Sequence, residues 1–222
     1  MNYLVLLDYG HLDNGVFLTS FARALSQQQN AISQKKNGRA IILHADSEYT
    51  ERLIQTGMMR EEARVRAVRD LNHRLIALLA DQGVSAIGLN GFQKSMVRTD
   101  GAETHVNRKE IERLPHQPYL LLSNLAADKD GKPVFIPLAD YAEAIRKELN
   151  IQDIILFSTL EKDELLTRNE SDEKKTRSAT EPEISERLPD QFNPPPFPVL
   201  MSTTEMLTHY PSKTGMISIN PA

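Results

Sequence analysis

The chain has 222 residues, of which 40% are hydrophobic and 25% charged, with a formal net charge of −4. That length suits one domain with an appendage or two small domains, and the apolar content supports a packed core. The sequence has no cysteine, which excludes disulfides, thiolate metal sites and a cysteine nucleophile and suits a reducing compartment; so weak a net charge advertises no nucleic-acid partner.

The run Tyr3-Leu4-Val5-Leu6-Leu7 reads as a first buried strand and meets Asp8 at once. The opening has no basic region and its apolar run is too short for a signal peptide. No apolar run reaches the ~18 residues of a membrane span. A cytoplasmic protein with no membrane partner is expected. Val16, Phe17, Phe21, Ala24 and Leu25 set a helical stripe over residues 16–29. Residues 39–43 form a second strand, Ser47 caps a helix through Gln55, and Gly57 stops it.

The longest helical pattern covers residues 59–82, with Val65, Val68, Leu71, Leu75, Ile76 and Leu79 near one face. At a rise of ~1.5 Å per residue it is about 36 Å long. Residues 84–88 make a third strand. Strand–helix–strand units of this kind predict an α/β fold of three αβα layers around a mainly parallel sheet. Residues 93–114 are polar and suit short hairpins, and residues 118–123 form a strand. Asp128-Lys129-Asp130-Gly131-Lys132 makes a turn between two extended runs. Residues 139–150 read as a helix and 153–157 as a strand.

Beyond Thr159 the pattern weakens. Residues 161–190 hold ten acids and six bases, and eight of the twelve prolines lie beyond residue 181. The chain divides into a domain over residues 1–160, an acidic then Pro-rich linker or mobile segment over 161–200, and a C-terminal segment, 201–222. That last segment is expected to pack back as a short helix and an edge strand. The Pro-rich run reads either as a linker or as a polyproline II ligand for a partner.

Three segments carry a family resemblance. His44-Ala45-Asp46-Ser47 follows the second strand. Arg69-Asp70-Leu71-Asn72-His73-Arg74-Leu75-Ile76 lies on the long helix, which leads through Gly83 to Gly88-Leu89-Asn90-Gly91. Asp130-Gly131 is followed by Leu138-Ala139-Asp140-Tyr141-Ala142 and the strand at 154–157. In this order and spacing, residues 3–160 resemble the amino-acid (carbamate) kinase family, acetylglutamate kinase most closely. The resemblance implies phosphoryl transfer from Mg-ATP to a carboxylate, which is mostly positioning and charge neutralisation.

Carried over residue by residue, the resemblance gives Asp140 the organising catalytic role. It places substrate beside His44, Ala45, Asp46, Arg60 and Asn90, and nucleotide beside Asp8, Gly10, Ser158 and Thr159. The departures are large. The family's lysine after the first strand is Asp8, and its next glycines are Gly10 and His11. His-Gly-Gly-Gly has become His44-Ala45-Asp46-Ser47, and two family asparagines correspond to Ile136 and Leu138. The second lysine has only Lys213 as a remote candidate, and the nucleotide-binding lobe is largely without counterpart. A carboxylate ~4 Å from a phosphate charge costs about 4 kcal/mol at an effective dielectric of 20.

Three readings follow. The first is a degenerate homologue that keeps a small-molecule cleft and a binding, regulatory or oligomerising role. The second is an active acetylglutamate-like carboxylate kinase, its charges rebuilt by Arg60, Lys94 or Lys213. The third is a divalent-metal site at Asp8, Asp46 and Asp140, although their spacing matches no known metal motif. Each residue also has a plain structural reading. Asp140 is then a first-turn helix acid, His44 and His11 are hydrogen-bonded strand-end residues, and the arginines of the long helix form a solvated face. The resemblance also implies a small acidic ligand held by Arg60 and a homodimer through the helix at residues 59–79.

Overall fold

A computed structural model describes residues 3–32, 40–115, 119–160 and 184–221 of the chain. The strands are β1 (Tyr3–Leu7), β2 (Ala40–His44), β3 (Ala86–Asn90), β4 (Val97–Thr99), β5 (Thr104–Val106), β6 (Tyr119–Ser123), β7 (Leu125–Ala127), β8 (Pro133–Phe135), β9 (Ile154–Phe157), β10 (Val199–Ser202) and β11 (Ile217–Ile219). The α-helices are α1 (Tyr9–Asp13), α2 (Gly15–Ile32), α3 (Glu48–Gln55), α4 (Glu61–Asp81), α5 (Arg108–Glu112), α6 (Leu138–Leu149) and α7 (Thr204–Leu207).

The main sheet has the order β11-β10-β9-β1-β2-β6-β3, and a smaller sheet has the order β5-β4-β7-β8. In the main sheet every pairing is parallel except β10 with β11. Val5 lies opposite Ile42 on one side and Ile155 on the other. The α/β architecture expected from the strand–helix alternation is the one that forms.

Side chains alternate across a strand, so each apolar run feeds two cores. Leu4, Leu6, Ile41, Leu43, Leu120 and Leu122 face α6 through Tyr141, Ala142 and Ile145. Val5, Leu7, Ile42, Leu121 and Ile155 face α2 and α4 through Phe21, Leu25, Leu71 and Leu75. Covering both faces explains why the central strands carry continuous apolar runs with no polar alternation. Val16, placed in the expected stripe of α2, is 70% exposed. The rest of the expected stripe holds: Phe21, Ala24 and Leu25 are buried, together with Ala22.

The expected linker over 161–200 gives way in its described part. Residues 161–183 lie outside the described residues. From Ile184 onward the chain packs on the domain. Phe192 and Phe197 are buried, their rings 6.2 Å apart, and β10 adds to the sheet beside β9. Proline and charge counts dominate the composition there, yet Phe192, Phe197, Val199 and Met201 supply the apolar surface that closes one face of the sheet. Burying each phenylalanine contributes about 1.5–3 kcal/mol. Beyond them, α7 and the edge strand β11 form. Among the described residues, no helix is long and apolar enough to cross a membrane.

Candidate functional site

Six parallel strands deliver their C-terminal ends to one side of the main sheet, the usual ligand side of an open α/β sheet. At the end of β1, Asp8 caps α1 and accepts the Gly10 N–H at 3.4 Å. Its other oxygen pairs with His11 Nδ1. His11 Nε2 lies 3.0 Å from the carbonyl oxygen of Ser158, at the end of β9. Burial lowers the His11 pKa, and the Ser158 carbonyl opposes that shift. The neighbouring Thr159 is tied to the returning tail. Its N–H donates to Arg187 O at 3.0 Å and its hydroxyl to Glu186 O at 3.3 Å.

His44 closes β2 and is fully buried. Its Nδ1 donates to Ala45 O at 2.8 Å, and its Nε2 accepts from the Asn72 amide at 2.9 Å. That arrangement needs the neutral ring, and burial pulls its pKa down to about 4. Asn72 also donates to Leu89 O at 3.3 Å. His44 and Asn72 therefore bolt β2, α4 and β3 together, and neither ring nitrogen is available to a substrate.

Two residues on, Asp46 is fully buried. Its Oδ2 accepts from Arg64 Nε at 2.8 Å, and Arg64 Nη2 pairs with Glu51 on α3. The guanidinium lies 3.5 Å from the centre of the Phe135 ring, a cation–π contact. Burial raises the Asp46 pKa to about 6, with Arg64 pulling the other way. Tyr9 is pushed up to about 12, mainly by burial and then by Asp46 and Glu51.

The ends of β6 and β3 complete the row. Ser123 donates to Asn90 Oδ1 at 2.8 Å, and the Asn90 N–H donates to Gln93 Oε1 at 2.8 Å. The Asn124 N–H donates to His44 O at 3.0 Å, and its side-chain amide donates to Ile136 O. Gly91 abuts Tyr141: a Cβ there would come within 2.1 Å of the Tyr141 hydroxyl and 2.5 Å of Leu125 O. Only glycine fits. Asp46 Oδ1, Asn124 Oδ1 and the Tyr141 hydroxyl are buried without a hydrogen-bond partner.

The structure thus gathers Asp8, His44, Ala45, Asp46, Asn90 and Ser158 at the carboxyl edge and leaves others out. Asp140 is exposed in the first turn of α6. Arg60 is exposed at the start of α4, and the buried cation is Arg64, one turn later. Lys213 binds Asp153 Oδ1 at 2.6 Å, just before β9, at the opposite edge of the sheet. It cannot serve a site at the carboxyl edge. Lys94 is exposed on the turn after β3 with φ of 53°. The suggested metal site does not assemble: Asp8 is paired with His11, Asp46 with Arg64, and Asp140 faces solvent. Among the described residues no three His, Cys, Asp or Glu side chains are grouped to hold a metal.

Arg64, Asn72, Asn124 and Tyr141 had no site role in the sequence, although Asn72 and Tyr141 lie within the motifs of the resemblance. The signal for the first two was present. Arg64, Val68 and Asn72 fall at i, i+4 and i+8, in register with Leu71, Leu75 and Leu79 on the buried stripe of α4. A polar residue on an apolar stripe needs a buried partner.

The group implied by the resemblance, Mg-ATP, meets a poor fit. The side chains at the ends of β1 and β2 offer carboxylate oxygens, one of them without a donor, where a polyphosphate needs cations and free N–H groups.

The fold defines the class: an amino-acid-kinase-like three-layer α/β fold. Among solved structures the chain is similar to an isopentenyl phosphate kinase (TM-score 0.57, 12% identity, covering 100% of this chain and 99% of that one). It is similar to N-acetylglutamate synthase from Neisseria gonorrhoeae complexed with coenzyme A and L-arginine (TM-score 0.60, 11% identity) and to aspartate kinase from Synechocystis (TM-score 0.61, 9% identity). The alignments cover all of this chain but only 61% and 40% of those two. No protein-family model matches the sequence, and no curated protein matches it. At such identities the likeness establishes the fold alone.

Proposed function

We propose that the chain is a small-molecule-binding protein on an amino-acid-kinase-like scaffold, with a regulatory or oligomerising role and without efficient phosphoryl transfer. One observation carries this reading. The end of β2, where the resemblance implies a glycine loop for phosphate, holds buried Asp46 clamped by Arg64, whose guanidinium also pairs with Glu51. Both the charge and the engaged cation oppose a transferring phosphoryl group.

An ADP-release assay with Mg-ATP and N-acetylglutamate tests it. The expected result is no turnover above background and no melting-temperature rise at millimolar Mg-ATP. Steady turnover in the range of about 1–10³ s⁻¹ common to enzymes would establish the kinase reading instead. A homodimer through α4 belongs to the same proposal. The outer face of α4 carries Arg66, Arg69, Asp70, His73 and Arg74, so its contacts would be polar, and light scattering reads the mass directly.

A further inference from the structure

Asp8 and His11 form a buried titratable pair that joins two strands. Asp8 follows β1, and His11 lies on α1, the next element of the chain. The His11 ring has an acceptor at each nitrogen: Nδ1 meets Asp8 Oδ1, and Nε2 lies 3.0 Å from Ser158 O at the end of β9. β9 and β1 are neighbours in the sheet, so the ring bridges adjacent strand ends. The far side of that bridge is a junction. The Ser158 N–H donates to O of Ser202, the last residue of β10, at 3.1 Å. The Thr159 N–H donates to Arg187 O at 3.0 Å, and the Leu160 N–H to Ser158 Oγ at 3.2 Å. His11 thus ties α1 to the point where β9, β10 and the returning tail meet.

The bridge fixes a proton count. A carbonyl oxygen only accepts, so Nε2 carries a hydrogen, and an ionised carboxylate also only accepts. The Asp8–His11 contact therefore needs a second hydrogen, on Nδ1 or on Oδ1. With it the pair is neutral as a whole, as carboxylate with imidazolium or as acid with imidazole. Without it the Nδ1 lone pair faces a carboxylate, and the buried pair carries a full negative charge. Burial disfavours a charged ring standing alone. In the pair it is loss of the proton that creates net charge, so burial holds the proton in place. The elements packed on the ring present apolar groups: Phe17 of α2, at 4.2 Å between ring centres, and Phe157 of β9, at 6.0 Å. On α1 itself, Asp13 accepts from the Tyr49 N–H, and Tyr9 lies with Asp46, Glu51 and Arg64. From the tail, Glu186 and Arg187 meet the junction through their carbonyl oxygens, which accept from Thr159. We propose that Asp8 and His11 form a proton-operated latch across the ends of β1 and β9, shut while the pair holds its second proton and opened when that proton leaves to solvent as pH rises. Each opening releases one proton and frees Ser158 and Thr159 from α1. The bridge spans Asp8, Ser158 and Thr159, which the resemblance assigns to a nucleotide, and the open latch is the state that exposes them.

In the unfolded chain a histidine loses this proton near pH ~6.5. The bridge's contribution to stability is therefore complete below that pH and lost as pH rises through the pair's own transition. The test is amide hydrogen exchange of the full chain at pH 6.5 and pH 9, with protection corrected for the intrinsic rate. Asp8→Asn keeps an acceptor for the Gly10 N–H and offers Nδ1 a hydrogen that does not titrate. The expected result is a fall of at least tenfold in Thr159 protection in the wild type between the two pH values, and level protection in Asp8→Asn. Nitrogen NMR of the wild-type ring at pH 6.5 should show a hydrogen on Nε2 and an Nδ1 bonded through a hydrogen to Asp8. An unbonded Nδ1 at that pH overturns the proposal. So does Thr159 protection that is level in the wild type, that falls equally in Asp8→Asn, or that falls only together with the core amides of β1. Should Asp8→Asn fail to fold, His11→Gln takes its place, since glutamine can donate to Ser158 O and has no proton to lose, and its Thr159 protection should stay level.

Discussion

The two edges of the main sheet are built from the same strands and treat their polar groups in opposite ways. At the amino edge, Tyr3 and Tyr119 donate to Gln28 Oε1 at 2.7 and 3.0 Å. Gln28 in turn donates to Leu207 O at 3.4 Å and Tyr210 O at 3.5 Å. Tyr210 and Lys213 both bind Asp153, at 2.8 and 2.6 Å. The network fastens the returning tail to the starts of β1, β6 and β9. At the carboxyl edge, an aspartate is buried beside one shared arginine, and three side-chain oxygens are left unpaired. A closed polar network holds a fold together, whereas an open one at a strand end is prepared for something else.

The contrast can be broken in order of size. Arg64→Leu removes the partner of a buried carboxylate and should cost about 3–5 kcal/mol at pH 7.5, read by urea denaturation. A loss below about 1 kcal/mol would mean that Asp46 has another counter-charge. The second test is pH. The folded-state pKa of Asp46 is raised from 3.8 to about 6, so the folded chain holds that proton more tightly than the unfolded one. The stability this contributes is complete below pH ~3.8 and lost as pH rises through about 6. Relative to Asp46→Asn, the wild type should therefore gain roughly 2–3 kcal/mol between pH 7 and pH 4. Parallel pH curves for the two proteins would contradict the burial argument.

Gln28→Leu at the amino edge should cost about 2 kcal/mol, since the hydroxyls of Tyr3 and Tyr119 lose a shared acceptor. The same substitution should leave ligand responses at the carboxyl edge unchanged, and a loss of both would mean that the edges are coupled. Asp140→Asn is the smallest change. Asp140 is exposed on α6, so the melting temperature should move by no more than about 2 °C. A large loss would restore it to the site.

The sheet was legible because its strands are short apolar runs separated by helical periodicity, and both signals are local. Ser47 showed its role in the same way, as the cap of α3 accepting from the Thr50 N–H at 3.3 Å. Residues 184–200 were misread because composition averages over a segment. Phe192 and Phe197 are isolated among prolines, and only the sheet they cover reveals their use. The carboxyl edge was legible in part. Strand ends point to Asp8 and Asp46 from sequence alone, and the resemblance adds Asn90. Arg64, the partner of Asp46, and Tyr141, which abuts Gly91, sit on helices elsewhere in the chain, where contact depends on how α4 and α6 cross the sheet. The resemblance favoured Arg60 and Asp140 by motif position. Burial selected Arg64 and Tyr141 instead, because those two lie on the faces of α4 and α6 that pack inward.

The central claim is that the acidic row at the ends of β1 and β2 repels a nucleotide's polyphosphate. Isothermal titration of the purified chain with the magnesium complex of the non-hydrolysable analogue AMP-PNP measures this directly. The account predicts no saturable heat up to millimolar nucleotide. A one-to-one isotherm with a micromolar Kd would contradict it.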